Sequence, residues 1–259
     1  KEDGLTSYEL GFHAEYTTKR EILEDISELS KKYHAPIYTH NSESASEVAQ
    51  CVERTGMTPT VYMEQLGLFE YGGGLYHCVH MSEEDLDVVK RHQISVITNP
   101  ASNLKLASGI APIEEMLKRN IDLAIGTDGP ASNNCLDMFR EMFLVTALAK
   151  YRENDASAVD ALEVLKMATI GGAKAMNLTD CDVLAEGKEA DIIMIDLNQP
   201  NMQPIHNIQK NLVYSGSKQN VKLTMVAGKI LYENGEFFIG TDAYKIYEKA
   251  NDIAERIVK

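Results

Sequence analysis

Up to about residue 178, short apolar runs alternate with charged stretches of helical period, a pattern that predicts strand, helix, strand and a mainly parallel sheet. The runs are "ELGFH", "APIYTH", "GLYHCVH", "ISVITNP" and "IDLAIGTD". Between them lie "KREILEDISELSKKY", "ASEVAQCVERTG", "SEEDLDVVKRH" and "IEEMLKRN", where Ile, Leu and Val recur at three and four with acids and bases opposite, as covering helices require. "SEEDL" also opens with a Ser cap and first-turn acids, both favourable to a helix start. "SNNCLDMFREMFLVTALAKYR" and "ASAVDALEVLKMATIGGAKAM" read as two longer helices of the same kind. Near residue 179 the texture changes to strands with tight turns, "CDVLAEGKEADIIMIDLNQP" and "VKLTMVAGKILYENGEF", in which "NGEF" is a hairpin signal. The tail "DAYKIYEKANDIAERIVK" predicts an amphipathic helix. The expected division is 1–178 for the β/α part, 179–240 for a small β unit and 241–259 for the closing helix.

The polar ends of the apolar runs carry the candidate chemistry. His13, His40, His77 and Asp128 each stand at, or one turn past, the carboxyl end of a predicted parallel strand, the edge where such sheets hold ligands. Only seven histidines are present, and three fall there. A lone strand-end His is more often structural, and an acid opening "GTDGPASNN" often serves only its own turn, but the coincidence on several strands favours a site. Neutral imidazoles with a carboxylate suit a borderline-soft divalent cation that keeps one position for water. Glu43, three after His40 in "THNSES", can reach the same cavity and move a proton, or else opens the helix that follows. His80, in "HCVH", reads as structural, because three residues along a strand point to opposite faces. "EYGGGLYH" precedes a strand rather than a helix and reads as a loop, not a phosphate cradle. "NPASNLKLASG" reads as a polar loop whose Asn99, Ser102 and Asn103 border the site.

Composition narrows the partners. The 259 residues are 44% apolar, enough for a substantial core, and carry a net charge of −14 with a pI near 4.9 and no Lys/Arg cluster. Nucleic acid is therefore not expected as a partner. No stretch approaches the roughly 20 apolar residues that span a bilayer, and the first residues lack the pattern of a signal peptide. Cys51, Cys78, Cys135 and Cys181 form no C-x-x-C pair, so reduced, mostly buried thiols and a cytosolic location are expected. Close to the start, "ELGFHAEYT" already reads as a strand running into a loop, with no starting methionine before it, which predicts a missing segment upstream.

In order and spacing, "GFHAEYT", "YTHNSES", "GLYHCVHMSEEDL", "NPASNLKLASGIAPIEEML", "GTDGPASNNCLDMFREM" and "ADIIMIDL" resemble the amidohydrolase superfamily, in the branch of the 5-methylthioadenosine/S-adenosylhomocysteine deaminases and related chlorohydrolases. The resemblance implies an α/β fold, a (β/α)8 TIM barrel of which this chain holds about the last five strands, with part of a small β-sandwich. It implies one metal, usually zinc with iron possible, and hydrolytic deamination of a purine nucleoside by metal-activated water. His40 and Asp128 match metal ligands. Glu43 matches the residue that contacts the substrate ring and shuttles protons, His77 the one that polarises or positions the attacking water, and His13 one that contacts the nucleoside. Asp128 also matches the base toward the water.

Two departures stand out. Glu15 occupies the place where the branch has Pro after His-Ala, which predicts an altered pocket near the sugar or side chain. The family's H-x-H, two further metal ligands, is absent. Two alternatives therefore stand beside the purine deaminase: another ring substrate of guanine or triazine type, and a non-catalytic piece that lacks two ligands. Five strands cannot close a barrel, so open sheet edges predict pairing, including with a second copy.

Overall fold

The computed structural model describes residues 5–258. Five strands, β1 (Leu10–Gly11), β2 (Ile37–Asn41), β3 (Gly73–His77), β4 (Ser95–Thr98) and β5 (Leu123–Ile125), form one sheet in the order β1-β2-β3-β4-β5. Every pair is parallel, with Ile37 opposite Gly73, Leu75 opposite Val96 and Ile97 opposite Ala124. Sequential order with a helical crossover each time sends every carboxyl end to one edge. β1 and β5 each pair on one side only among the described residues.

Helices α1 (Arg20–Tyr33), α2 (Ala45–Thr55), α3 (Pro59–Gln65), α4 (Glu83–Arg91), α5 (Pro100–Lys105) and α6 (Ile113–Lys118) occupy the crossovers. Alternation along β2 buries Ile37, Thr39 and Asn41 and leaves Tyr38 and His40 half-buried. Ile37, Leu75 and Val96 join Leu23, Met63, Val88, Val89 and Met116 in the main core. Each such side chain contributes roughly 1.5–3 kcal/mol by burial. The opposite face carries a smaller cluster of Ile97, Ala124 and Ala175 with Tyr76 against it, and the Tyr38 hydroxyl donates to the Ala175 carbonyl at 2.7 Å.

Both longer predicted helices are broken. The first divides into α7 (Pro130–Asn133) and α8 (Met138–Glu153), because Asn134 turns left-handed (φ 67°) and Asp137 caps the new helix by accepting the Phe139 N–H at 3.1 Å. The second begins only at Asp160, which caps α9 (Ala161–Ala168), and breaks at Thr169 (φ −126°, ψ −93°) before α10 (Ile170–Ala175). Helix α3 lies in "PTVYMEQ", which its short apolar pattern did not announce. "NPASNLKLASG" opens with α5, with Pro100 in its first turn, rather than being loop throughout. β3 begins inside the triple glycine, and a Cβ on Gly73 would lie 1.9 Å from the Ile37 carbonyl oxygen.

The later strands β6 (Ile192–Ile195), β7 (Val221–Val226), β8 (Lys229–Glu233) and β9 (Glu236–Phe237) make an antiparallel sheet in that order. Its two hairpins turn on Ala227-Gly228 and Asn234-Gly235, all four residues at positive φ, the geometry that two-residue hairpins need. Between β6 and β7 runs a short turn of helix, α11 (Ile208–Lys210). The closing helix α12 (Ala243–Val258) buries no side chain, and Tyr244, Ile246, Tyr247 and Ile257 are exposed on it. Among the described residues no helix is long and apolar enough to cross a membrane. The four thiols are free; Cys51 and Cys78 are buried, whereas Cys135 and Cys181 are only half-buried.

Candidate active site

The carboxyl edge of the parallel sheet collects the residues singled out above. His40 lies near the end of β2, His77 ends β3, His13 is two residues past β1 and Asp128 three past β5. The His13 and His40 rings are 4.7 Å apart between centroids, and the His40 and His77 rings stack at 5.4 Å with planes 20° apart. Strand alternation would place residue 77 on the side of Leu75, under the helices. Instead the backbone leaves strand geometry at His77 (φ 70°) and Cys78 (φ 48°), and the ring stacks beside His40. Ser42 (φ 49°) and Asp128 (φ 58°) are left-handed as well. Non-glycine residues in this region cost energy that the surrounding structure must offset, and they cluster at functional sites.

The turn at 77–78 also removes the stated reason for calling His80 structural. The strand has ended before it, so opposite faces of a strand do not apply. His80 is held by another contact, its Nε2–H donating to the Ser108 carbonyl at 2.7 Å.

Each ring has its tautomer set by an acceptor. The His40 Nδ1–H donates to the His13 carbonyl at 2.5 Å, and the buried His77 Nδ1–H donates to Asn103 Oδ1 at 2.7 Å. Both Nε2 atoms are thereby left with lone pairs, as ligation or proton acceptance requires. Glu43 places Oε2 3.8 Å from His77 Nε2. It is not the helix-opening acid: Ser44 caps α2, and the box partner is Glu47, whose carboxylate accepts the backbone N–H groups of Ser42, Glu43 and Ser44.

Asp128 does serve its own turn, accepting the Gly129 N–H at 2.6 Å, but its other oxygen accepts the Ser102 hydroxyl at 2.6 Å. Partial burial pushes its carboxyl up. The hydrogen bonds from Ser102, Gly129 and Ser132 outweigh that and hold it below the usual aspartate range, so it is ionised at neutral pH.

Ser102 and Asn103, adjacent in the first turns of α5, thus hold Asp128 and His77; the sequence placed them only at the border of the site. Glu15 does not line this edge. Its side chain is buried and paired with Arg54 of α2.

Helix α5 is itself fixed by Glu141 of α8. This buried carboxylate accepts the Ala101 N–H at 3.0 Å and an Asn133 amide N–H at 2.8 Å, tying α5 to α7 on either side of Asp128. Burial pushes the Glu141 carboxyl up, against the lowering effect of those two bonds. A raised folded pKa means the folded state binds more protons, so this group's contribution to stability is complete below the unfolded value near 4.5 and is lost as pH rises through the folded value. Glu141→Gln is expected to flatten that decline, as read from unfolding free energies at a series of pH values from 4.5 upward.

A half-barrel of βα units with histidines at the ends of its first three strands and an aspartate after the fifth defines the (β/α)-barrel class that works at its carboxyl edge. The chain belongs to the amidohydrolase family, whose profile matches residues 1–231. It is 40% identical, over 99% of its length, to the 5-methylthioadenosine/S-adenosylhomocysteine deaminase of Thermoanaerobacter pseudethanolicus, and it spans 60% of that relative. An adenosine deaminase of Xanthomonas campestris solved with bound zinc superposes with a TM-score of 0.94 at 35% identity, covering 99% of this chain and 58% of that one. The atrazine chlorohydrolase of Arthrobacter aurescens, complexed with zinc, superposes with a TM-score of 0.85 at 26% identity, covering 94% and 54%.

Proposed function

We propose that this chain is the catalytic-edge portion of a cytosolic, zinc-dependent aminohydrolase that deaminates a purine nucleoside of the 5-methylthioadenosine, S-adenosylhomocysteine or adenosine type. Residues 1–178 supply the barrel strands, 179–240 part of a β-sandwich and 241–259 the closing helix. The observation that carries the reading is the strand-edge stack of His40 on His77, each ring held through Nδ1, with Glu43 Oε2 3.8 Å from His77 Nε2. The two relatives that cover nearly all of this chain, one with zinc, support it.

The donor set fits a divalent cation. His40 offers a lone pair on a ring oriented through Nδ1, and Asp128 offers an ionised carboxylate. These two would hold zinc, or iron in its place, which supplies Lewis-acid activation of water for attack on the amine-bearing ring carbon. Asp128 accepts the water proton. Glu43 carries a proton on Oε2 to the ring nitrogen and takes one back from the added hydroxyl as it becomes the carbonyl, while the proton held by Asp128 passes to the amine, so that the C–N bond breaks and neutral ammonia leaves. His77, fixed by Asn103, aligns the attacking oxygen through Nε2. His13, exposed at the rim, contacts the nucleoside.

Among the described residues no three His, Cys, Asp or Glu side chains gather into a metal cage. A catalytic zinc normally has three protein ligands and a water. The remaining ligands on this reading come from outside these 259 residues, at the open β1 or β5 edge, and the chain alone does not turn over.

The test is ammonia release and zinc content in the protein carrying the complete ligand set, with methylthioadenosine, S-adenosylhomocysteine and adenosine against guanine and a triazine. Zinc near one per chain and preference for an adenosine-type substrate are expected. Turnover of guanine or the triazine alone overturns the substrate class, and absence of both zinc and turnover overturns the reading.

A further inference from the structure

We propose that Ser108 and His80 form a positioning pair that sets the orientation of the Glu43 carboxylate; the proposal rests on the reading of Glu43 as the proton carrier. A carboxylate that moves a proton must present one oxygen in a fixed direction. The backbone of Glu43 is fixed from below, since Glu47 takes the N–H groups of residues 42–44. That leaves the half-buried Glu43 side chain, with its rotatable bonds, unsettled.

The Ser108 hydroxyl settles it by donating to Oε1 at 3.1 Å. The two oxygens are thereby distinguished: Oε1 is anchored, and Oε2 is the one at 3.8 Å from His77 Nε2. Ser108 is itself held at both ends. Its N–H donates to the Asn103 carbonyl at 2.8 Å, and its carbonyl accepts the His80 Nε2–H at 2.7 Å.

His80 stands on firm ground, because the N–H groups of Val79 and His80 both donate to the Ser42 carbonyl, at 3.1 and 2.9 Å. Gly109 allows the closure. It adopts φ +129°, and a Cβ there would sit 2.8 Å from a Val79 methyl and 3.5 Å from the His80 ring. Three loops, after β2, after β3 and after α5, therefore meet in one line from His80 through Ser108 to Glu43. The same line ties Glu43 to Asn103, which orients His77, so one short segment aligns both partners of the proton path.

Two readouts test the pair. In the protein carrying the complete ligand set, Ser108→Ala and His80→Ala are each expected to lower kcat about tenfold, within the range for residues that orient a reacting group, with KM changed by less than about twofold and zinc content unchanged. His80→Gln keeps an N–H that can reach the Ser108 carbonyl and is expected to restore most of kcat. Independently of activity, the Glu43 side-chain carboxyl 13C signal is expected to move in Ser108→Ala and His80→Ala and to stay in place in His80→Gln. An unmoved carboxyl signal, equal kcat in His80→Ala and parent, equal losses in His80→Ala and His80→Gln, or a loss of kcat that tracks lost zinc or lost folding each overturns the pair. If the parent deaminates no purine, the proposed function falls, and the carboxyl signal alone decides the pair.

Discussion

In the protein carrying the complete ligand set, replacing Asp128 with alanine is expected to lower turnover by at least about a thousandfold, the scale on which enzymes lose rate when a charged group at the reacting centre is removed. The loss has two sources. Asp128 is one of two candidate metal ligands on this chain, and its carboxylate is held ionised by Ser102 and Gly129, so its removal takes away a ligand and a proton acceptor together. Zinc should fall with activity when elemental analysis and ammonia release are measured on the same preparations. Asp128→Asn separates the roles: it keeps the shape and an oxygen for Ser102 but cannot take the water proton. Zinc retained with turnover lost would assign Asp128 to proton transfer alone. Zinc and turnover both near the parent's would remove it from the site.

Substituting Gly73 by alanine is expected to destabilise the fold by about 3 kcal/mol or more, through backbone strain together with overpacking. Gly73 opens β3 at φ +136°, opposite Ile37, and an added Cβ would fall 1.9 Å from the Ile37 carbonyl oxygen and 2.7 Å from its nitrogen. The neighbouring atoms are backbone of a central strand and cannot swing aside. For a chain of this length the unfolding midpoint should drop by roughly 10 °C. Gly56 provides the comparison. It ends α2 at φ +76° with nothing within 4 Å of an added Cβ, so Gly56→Ala should show the conformational cost alone, about 1 kcal/mol. Equal losses in the two variants would show that strain, not the clash with β2, governs Gly73.

The outline of the site was legible because a parallel sheet forces it. Each apolar run ends where the strand leaves the core, so His13, His40, His77 and Asp128 could be read as neighbours from their places at the ends of runs, without knowing their contacts. Ser102 and Asn103 were half legible. Their polarity marked the segment, but their direction came from a helix start at Pro100 that looked like loop chemistry. Ser108 was not legible at all, since its bond to Glu43 joins residues 65 apart and depends on a glycine turn closing on His80. The helix breaks at Asn134 and Thr169 escaped for a similar reason. Local periodicity continues across both, and just past the Thr169 break the chain packs closely on β5, where a Cβ on Gly171 would sit 2.1 Å from the Leu123 carbonyl oxygen.

By itself the sequence determined the alternation of strands and helices, the parallel order, the hairpins of the second sheet and the types of residue at the carboxyl edge. These follow from the periods of side-chain direction and from turn chemistry, both local properties of the chain. The tertiary structure alone decided how those residues are aimed. It turned the His77 ring through a left-handed residue, set two imidazole tautomers through the His13 carbonyl and Asn103, moved Glu15 into a pair with Arg54 and brought Ser108 to Glu43. Hydrogen bonds between loops depend on distances in space, and no spacing along the chain encodes them until the core has packed.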